Sequence, residues 1–358
     1  MFAVIMAGGS GTRFWPASRK QRPKQFLDIT GRGPMVVETC NRLKSMVRDE
    51  DMLIVLGHRH LEEARSLFSG RRVHLIAEPV GRNTAPCIGL GAVYARYLGK
   101  EGPVAFLPAD HFIADSTSFV NAVAAAGELA SSGGIVTLGI VPTRPETGYG
   151  YIRRDSSSFK AGPVTAYTVL EFVEKPDLEQ ALQYISSGEY YWNGGIFVAT
   201  PKTILTEISR YLPELYAGLQ RLSEALGTKS FEQEFEDVYN TIKGISFDYG
   251  IMEKTKEMVY VVPSNCGWSD VGSWASLYEL RKAEHDNNQN LIEGDSLLID
   301  CRKSFVSALG GRLVACLGLE NCLVVDTEDS LLVADINRSQ DVRKIVDQLK
   351  KTGKEGLL

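Results

Sequence analysis

The residues best suited to chemistry sit where apolar runs end. Ala7-Gly8-Gly9-Ser10-Gly11-Thr12-Arg13 follows directly on the apolar run Phe2–Ala7. Glycines in such a loop let the backbone turn sharply and bare its N–H groups to an anion. Arg13 adds a planar fork matched to phosphate, and Lys24 lies a short loop further on. Two familiar phosphate loops do not fit. No Gly-Lys-Ser/Thr closes this one, and Phe14 stands where a dinucleotide-binding loop needs its third glycine. A bare strand-to-helix turn is the plain alternative; the two cations favour phosphate.

Carboxylates come next. Asp110, in Leu107-Pro108-Ala109-Asp110-His111, lies just past an apolar run, and Asp270 lies in the glycine-flanked loop Gly267–Gly272. A nucleotide-bound magnesium takes one or two protein carboxylates, with phosphate oxygens and water completing the octahedron. Each aspartate alone also reads as a helix N-cap, Asp270 before the pattern 271–280 in particular. Glu174-Lys175, in Glu171–Pro176, could hold a sugar hydroxyl and a phosphate, or form a surface ion pair. Tyr191–Gly195 and Glu146–Gly150 are polar, aromatic and glycine-rich, fit for a polyol pocket or for ordinary turns. His58 and His60 lack companion ligands at a zinc-like spacing and read as a solvated helix start.

The elements that position these residues alternate. Phe2–Ala7, 52–56, 73–77, 104–107 and 135–141 read as strands, with helical patterns at 35–47, 61–68, 85–98 and 118–130. Strands apolar on both faces, alternating with helices, predict an α/β fold with a mostly parallel sheet sandwiched by helices. Such sheets bind ligands beyond the carboxyl ends of their strands, here after residues 7, 77, 107 and 141. The runs 149–153 and 165–173 predict an inserted or edge β element, and 177–226 reads as helical. After Asn290 short β runs follow at 297–301, 305–309, 313–317, 322–325 and 331–335, compatible with a small β-solenoid. An amphipathic helix at 340–351 closes the pattern. The polar stretch 285–290 predicts a boundary, giving domains 1–285 and 286–358.

Composition sets limits. At about 150 residues per domain, 358 residues predict two or three domains. Lys plus Arg is 39 against 44 for Asp plus Glu, a net charge of −5, which speaks against nucleic-acid binding but not against an anionic small molecule. The six cysteines form no CxxC pair and read as free thiols in a reducing compartment. No basic n-region precedes the first apolar run, and no run of about 18 apolar residues occurs, so a cytoplasmic protein without membrane partners is expected.

A set of segments in order then supports a resemblance that no single motif would. These are the glycine loop with Pro23–Leu27, Gly81–Pro86, Pro108–His111, Glu146–Tyr151, Phe172–Pro176, Trp192-Asn193, Phe247–Tyr249 with Met252–Lys254, and Gly267–Trp274. The chain resembles the bacterial mannose-1-phosphate guanylyltransferases, or GDP-mannose pyrophosphorylases, of the nucleotidyltransferase family. The resemblance implies a glycosyltransferase-A-like catalytic fold and a small C-terminal β-helix-like domain. It implies the substrates GTP and mannose 1-phosphate, the products GDP-mannose and pyrophosphate, magnesium (or manganese), and a homodimer. Gly8, Gly9, Gly11, Thr12 and Arg13 would bind the GTP phosphates, with Lys24 helping to hold pyrophosphate. Glu78, Arg82, Asn83 and Thr84 would lie at the guanine. Asp110 and Asp270 would hold the metal; Gly148, Glu174, Asn193 and Gly194 would meet mannose, and Lys175 its phosphate.

The basic segment 17–22 varies among relatives, so Arg19, Lys20 and Arg22 receive no role. Isomerase activity, which longer relatives carry in a C-terminal cupin domain, is not expected. The alternatives are a transferase for another hexose phosphate or base, and a non-catalytic subunit that senses GDP-mannose. The Gly81–Pro86 segment argues against the first, and the full set Arg13, Lys24, Asp110, Lys175 and Asp270 against the second.

Overall fold

A computed structural model describes residues 1–9, 11–162 and 164–358. They fold as two compact units: Met1–Gly8, Thr39–Ala109 and Ile113–Trp268 form the first, and Gly9–Glu38, Asp110–Phe112 and Ser269–Leu358 the second.

In the first unit, nine strands of the described residues form one sheet. They are β1 (Phe2–Ala7), β2 (Met52–Gly57), β3 (His74–Glu78), β4 (Val104–Pro108), β5 (Ile135–Ile140), β6 (Gly150–Ala161), β7 (Val164–Glu174), β8 (Tyr190–Ala199) and β9 (Val259–Ser264). Their order is β3-β2-β1-β4-β8-β5-β9-β7-β6. The β3-β2-β1-β4 half is parallel throughout, with Ile5 opposite Ile54 on one side and Leu107 on the other. All six residues of β1 are buried, as a strand covered on both faces requires. The helix Thr84–Tyr97 lies close: a Cβ on Gly91 would come within 2.8 Å of Val4, and one on Gly89 within 2.5 Å of Leu219. The helix Ser116–Ser131 starts at Asp115, whose carboxylate accepts from the Ser118 N–H.

β6 and β7 lie at one edge of the sheet, as the sequence predicts, and are longer than its patterns suggest. Two expectations are corrected. The helical reading of 177–226 misses β8, which pairs antiparallel with β4, β5 and β6. Ile196, Phe197, Val198 and Ala199 are all buried, and a short apolar run flanked by helices has no period of its own to mark it as a strand. The expected helix 35–47 ends at Arg42, beyond which the chain tightens into i→i+3 turns that still bury Leu43 and Val47.

The second unit carries β10 (Leu291–Gly294), β11 (Ser296–Ile299), β12 (Phe305–Ala308), β13 (Val314–Leu317), β14 (Cys322–Asp326) and β15 (Leu331–Asp335). β10, β12 and β14 stack in parallel with Leu291, Phe305 and Leu323 in register; β15 closes that sheet antiparallel, and β11 pairs with β13. Parallel pairing of successive short strands is a β-helical coil, in which each turn buries the apolar face of the last. The buried amide of Asn290 stitches one corner, donating to the Cys301 carbonyl and accepting from the Ser304 N–H. Phe14, Trp15, Ile29, Val271 and Trp274 share a core with Phe305, Leu323 and Val346. By compactness, residues 9–38 group with the C-terminal β structure.

All six cysteines are free thiols. No helix among the described residues is long and apolar enough to cross a membrane.

Candidate active site

The second unit holds a cavity of about 350 Å³ lined by the glycine loop, Lys24, Asp110 and the loop after Ser269. Gly11 takes a left-handed φ of 55°, and a Cβ there would sit 2.5 Å from the Lys24 nitrogen, so the position admits only glycine. The Gly9 carbonyl accepts from the Gln25 side chain. Ser10 lies outside the described residues. The turn Thr12–Phe14 then buries Phe14 and leaves Arg13 exposed, with no ion pair among the described residues.

Lys24 is buried, and its ammonium uses all three donors within this cluster. It donates to the Asp110 carbonyl (2.8 Å), the Asp110 carboxylate (3.1 Å) and the Asp270 carbonyl (2.5 Å). Burial pushes the Asp110 carboxyl up, but Lys24 and His111 outweigh it and hold the group below the usual carboxylate range. Neither aspartate is a helix cap: Asp115 and Ser273 cap the helices that follow. Val271 has a left-handed φ of 43°, a strained state for a buried β-branched residue, directly after Asp270.

Two carboxylates lining one cavity supply hard oxygen donors that fit a magnesium ion also held by phosphate oxygens. No group of three or more His, Cys, Asp or Glu suited to a metal occurs among the described residues.

The first unit carries two further clusters. Glu78 ends β3, is buried, and accepts from the Tyr239 hydroxyl at 3.0 Å. Burial pushes its carboxyl up to about 7, against the Tyr239 hydrogen bond. Gly8 is exposed and lies beside Glu78: a Cβ there would make an ordinary contact, 3.5 Å from that carboxylate. Arg82 donates to the Tyr239 and Asn240 carbonyls, Asn83 caps the helix Thr84–Tyr97, and Thr84 accepts from the Phe247 N–H. These three side chains fix backbone, so any service to a base runs through what they position.

In the other cluster, Glu174 ends β7 and its carboxylate pairs with the Lys175 ammonium. The second Glu174 oxygen is buried and has no hydrogen-bond partner among the described residues. Lys175 stands in a left-handed conformation that turns it out of the strand, half exposed, near the Tyr249 ring. Asn193, in β8, donates to Asp248 at 2.7 Å and accepts from the Gly195 N–H and the Thr137 hydroxyl. Gly194 is buried, and its Cα faces the Leu138 carbonyl. Gly148 is exposed and donates to Glu146; next to it, Tyr149 packs edge-on against Trp192 and Trp268.

Residues 2–287 match the Nucleotidyl transferase family, and residues 294–349 match a MannoseP isomerase/GMP-like beta-helix domain. The chain belongs to the nucleotidyltransferase family. Its relatives include the mannose-1-phosphate guanylyltransferase of Escherichia coli K12, 41% identical over an alignment that covers 99% of this chain and 74% of that protein. The Salmonella montevideo mannose-1-phosphate guanylyltransferase is 41% identical over 97% of this chain and 73% of its own. Among solved structures, a Thermus thermophilus protein described as a mannose-1-phosphate geranyltransferase superposes with a TM-score of 0.87 at 36% identity, covering 98% of this chain and 99% of that one. The fold class and family expected from the sequence are thus borne out.

Within this nucleotidyltransferase, the structure gathers Gly11, Thr12, Arg13, Lys24, Asp110 and Asp270 around one cavity, although 259 positions separate the first of them from the last. It brings Glu174, Lys175 and Asn193 around a residue without an expected role, Asp248. The segment Phe247–Tyr249 is part of the family pattern, and that was its only signal.

Proposed function

We propose that this nucleotidyltransferase transfers GMP from GTP to α-D-mannose 1-phosphate, giving GDP-mannose and pyrophosphate. The observation that carries the reaction type is the buried Lys24, tied to both Asp110 and Asp270 beside the exposed Arg13. The guanylyltransferase relatives support the choice of base and sugar.

The chemistry needs no protein nucleophile. An oxygen of the sugar phosphate, anionic at neutral pH, attacks the α-phosphorus; the bond to the β-phosphate oxygen breaks, and pyrophosphate leaves with that electron pair. What the chain supplies is position and charge. Backbone N–H groups of Gly8, Gly9, Gly11 and Thr12 would hold phosphate oxygens, and Arg13 would neutralise them. Lys24 keeps the two aspartates in place and offsets their charge. A magnesium ion held by Asp110 and Asp270 would, when bound, draw charge from the phosphates. Glu78 would accept from the guanine edge, Glu174 and Asn193 would meet mannose hydroxyls, and Lys175 the sugar phosphate. The free thiols suit a cytoplasmic enzyme.

Pyrophosphate release, measured over a panel of nucleoside triphosphates and hexose 1-phosphates with magnesium, tests the reading. GTP with mannose 1-phosphate is expected to be the preferred pair; strong preference for another pair overturns the assignment. Asp110→Asn should lower turnover at least 100-fold while the unfolding curve stays in place. Wild-type turnover in that variant removes Asp110 from the site.

A further inference from the structure

Asp248 opens a helical turn of the wide i→i+5 kind, Asp248–Met252, in which the Glu253 N–H reaches the Asp248 carbonyl. Its carboxylate accepts from the Asn193 side chain at 2.7 Å. The other end of that amide accepts from Gly195 and Thr137, so both of its oxygen lone pairs are used. An ionised carboxylate accepts only, which settles which way the amide faces. One Asn193 N–H then remains for a ligand. Asn193 and the Glu174 oxygen that lacks a partner among the described residues are neighbours at Gly150, where a Cβ would strike that oxygen and come within 3.2 Å of the Asn193 Cβ. A donor on one and an acceptor on the other of two neighbouring side chains suit a hydroxyl of a sugar, which both gives and takes a hydrogen bond.

We infer that Asp248 is a positioning residue for the sugar phosphate: it aims the Asn193 amide, and its negative charge keeps that amide's donor end turned toward the substrate. The inference rests on the function proposed above and adds to it a residue that touches neither substrate.

The charges around Asp248 are few. Glu174 and Lys175 face it from the end of β7; Tyr249 follows it, and Glu253 lies one turn on, accepting from the Glu174 N–H. From the helix Pro201–Tyr211, packed on the same turn, comes Glu207, held by Arg210 and Thr255. Burial pushes the Asp248 carboxyl up to about 6 and the Glu174 charge adds to this, while Asn193 and Lys175 oppose it. Asp248 is therefore ionised at pH 8 and mostly protonated at pH 5.

Steady-state kinetics of the wild type, Asp248→Asn and Asp248→Glu from pH 5 to 8.5 test this. At pH 8, Asp248→Asn should raise KM for mannose 1-phosphate at least tenfold, with kcat changed less than threefold and KM for GTP unchanged. Because the sugar phosphate titrates too, the quantity read is the ratio of variant to wild-type KM at each pH. That ratio should fall toward 1 by pH 5, where the wild type has lost the same charge, and Asp248→Glu should recover part of the affinity. An unchanged KM at pH 8, a ratio that does not vary with pH, or equal losses for both substrates overturns the inference. A wild type that transfers no GMP refutes the proposed function itself, and the inference falls with it.

Discussion

Glu78→Gln isolates the cost of one buried carboxyl. Glu78 ends β3 with its carboxyl buried against the Tyr239 hydroxyl, and it keeps its proton up to about pH 7 instead of the ordinary 4.5. Between those two values the folded chain binds more protons than the unfolded one, so stability falls as pH rises through that window and levels off above it. The gap is worth about 3 kcal/mol at 1.36 kcal/mol per tenfold change in proton affinity. Glutamine keeps the shape and still offers Tyr239 an acceptor, but it has no proton to lose. Part of this is already spent at pH 5, so relative to its standing there the variant should gain about 2.5 kcal/mol on the wild type by pH 8. Asp248 adds a similar fall between 3.8 and about 6, but it does so in both proteins and cancels in the difference. Urea unfolding at pH 5, 6, 7 and 8, followed by tryptophan fluorescence, reads this difference directly. A wild-type-to-variant gap that stays constant across the series would refute the reasoning, because Glu78 would then ionise like an exposed carboxylate.

Gly11→Ala places a Cβ 2.5 Å from the Lys24 nitrogen at a left-handed φ, which should cost about 2–3 kcal/mol and abolish pyrophosphate release. Thermal unfolding and the release assay check both. Arg19→Ala removes a donor from the Leu357 carbonyl and the 2.5 Å ion pair to Asp329, for a loss of about 1 kcal/mol. The C-terminal residues should become open to carboxypeptidase at unchanged turnover; loss of turnover with intact stability would give Arg19 a part in the reaction.

The ends of β1 and β4, where ligand-binding groups were sought, were legible because burial on both faces forces a continuous apolar run. Residues 2–7 and 104–107 have no other reading. β8 was not legible, because its apolar half sits between two true helices and is too short to show a period. Of the site, the glycine loop with Arg13 and Lys24 could be read from types and spacing alone. The meeting of Asp110 with Asp270 could not, since only the folded chain puts Lys24 between them. Arg82 illustrates the opposite limit: the resemblance sets it at the guanine, and nothing in the sequence shows that its side chain is engaged by two backbone carbonyls. The net charge of −5 had no bearing on any of this, because the cations of the proposed site, Arg13, Lys24 and Lys175, are three among 39.

The Lys24 ammonium waits for a carbonyl 246 residues further along the chain. At about 5–20 residues per second, the ribosome needs roughly 10–50 s to deliver Asp270 after Lys24 has emerged. Until then the nascent glycine loop has neither its buried cation in place nor the second aspartate. The same holds for Phe14 and Trp15, whose core partners Phe305, Leu323 and Val346 are made later still. The cradle proposed for phosphate is thus among the last structures that translation can complete, and a truncated chain carries the loop without the pocket.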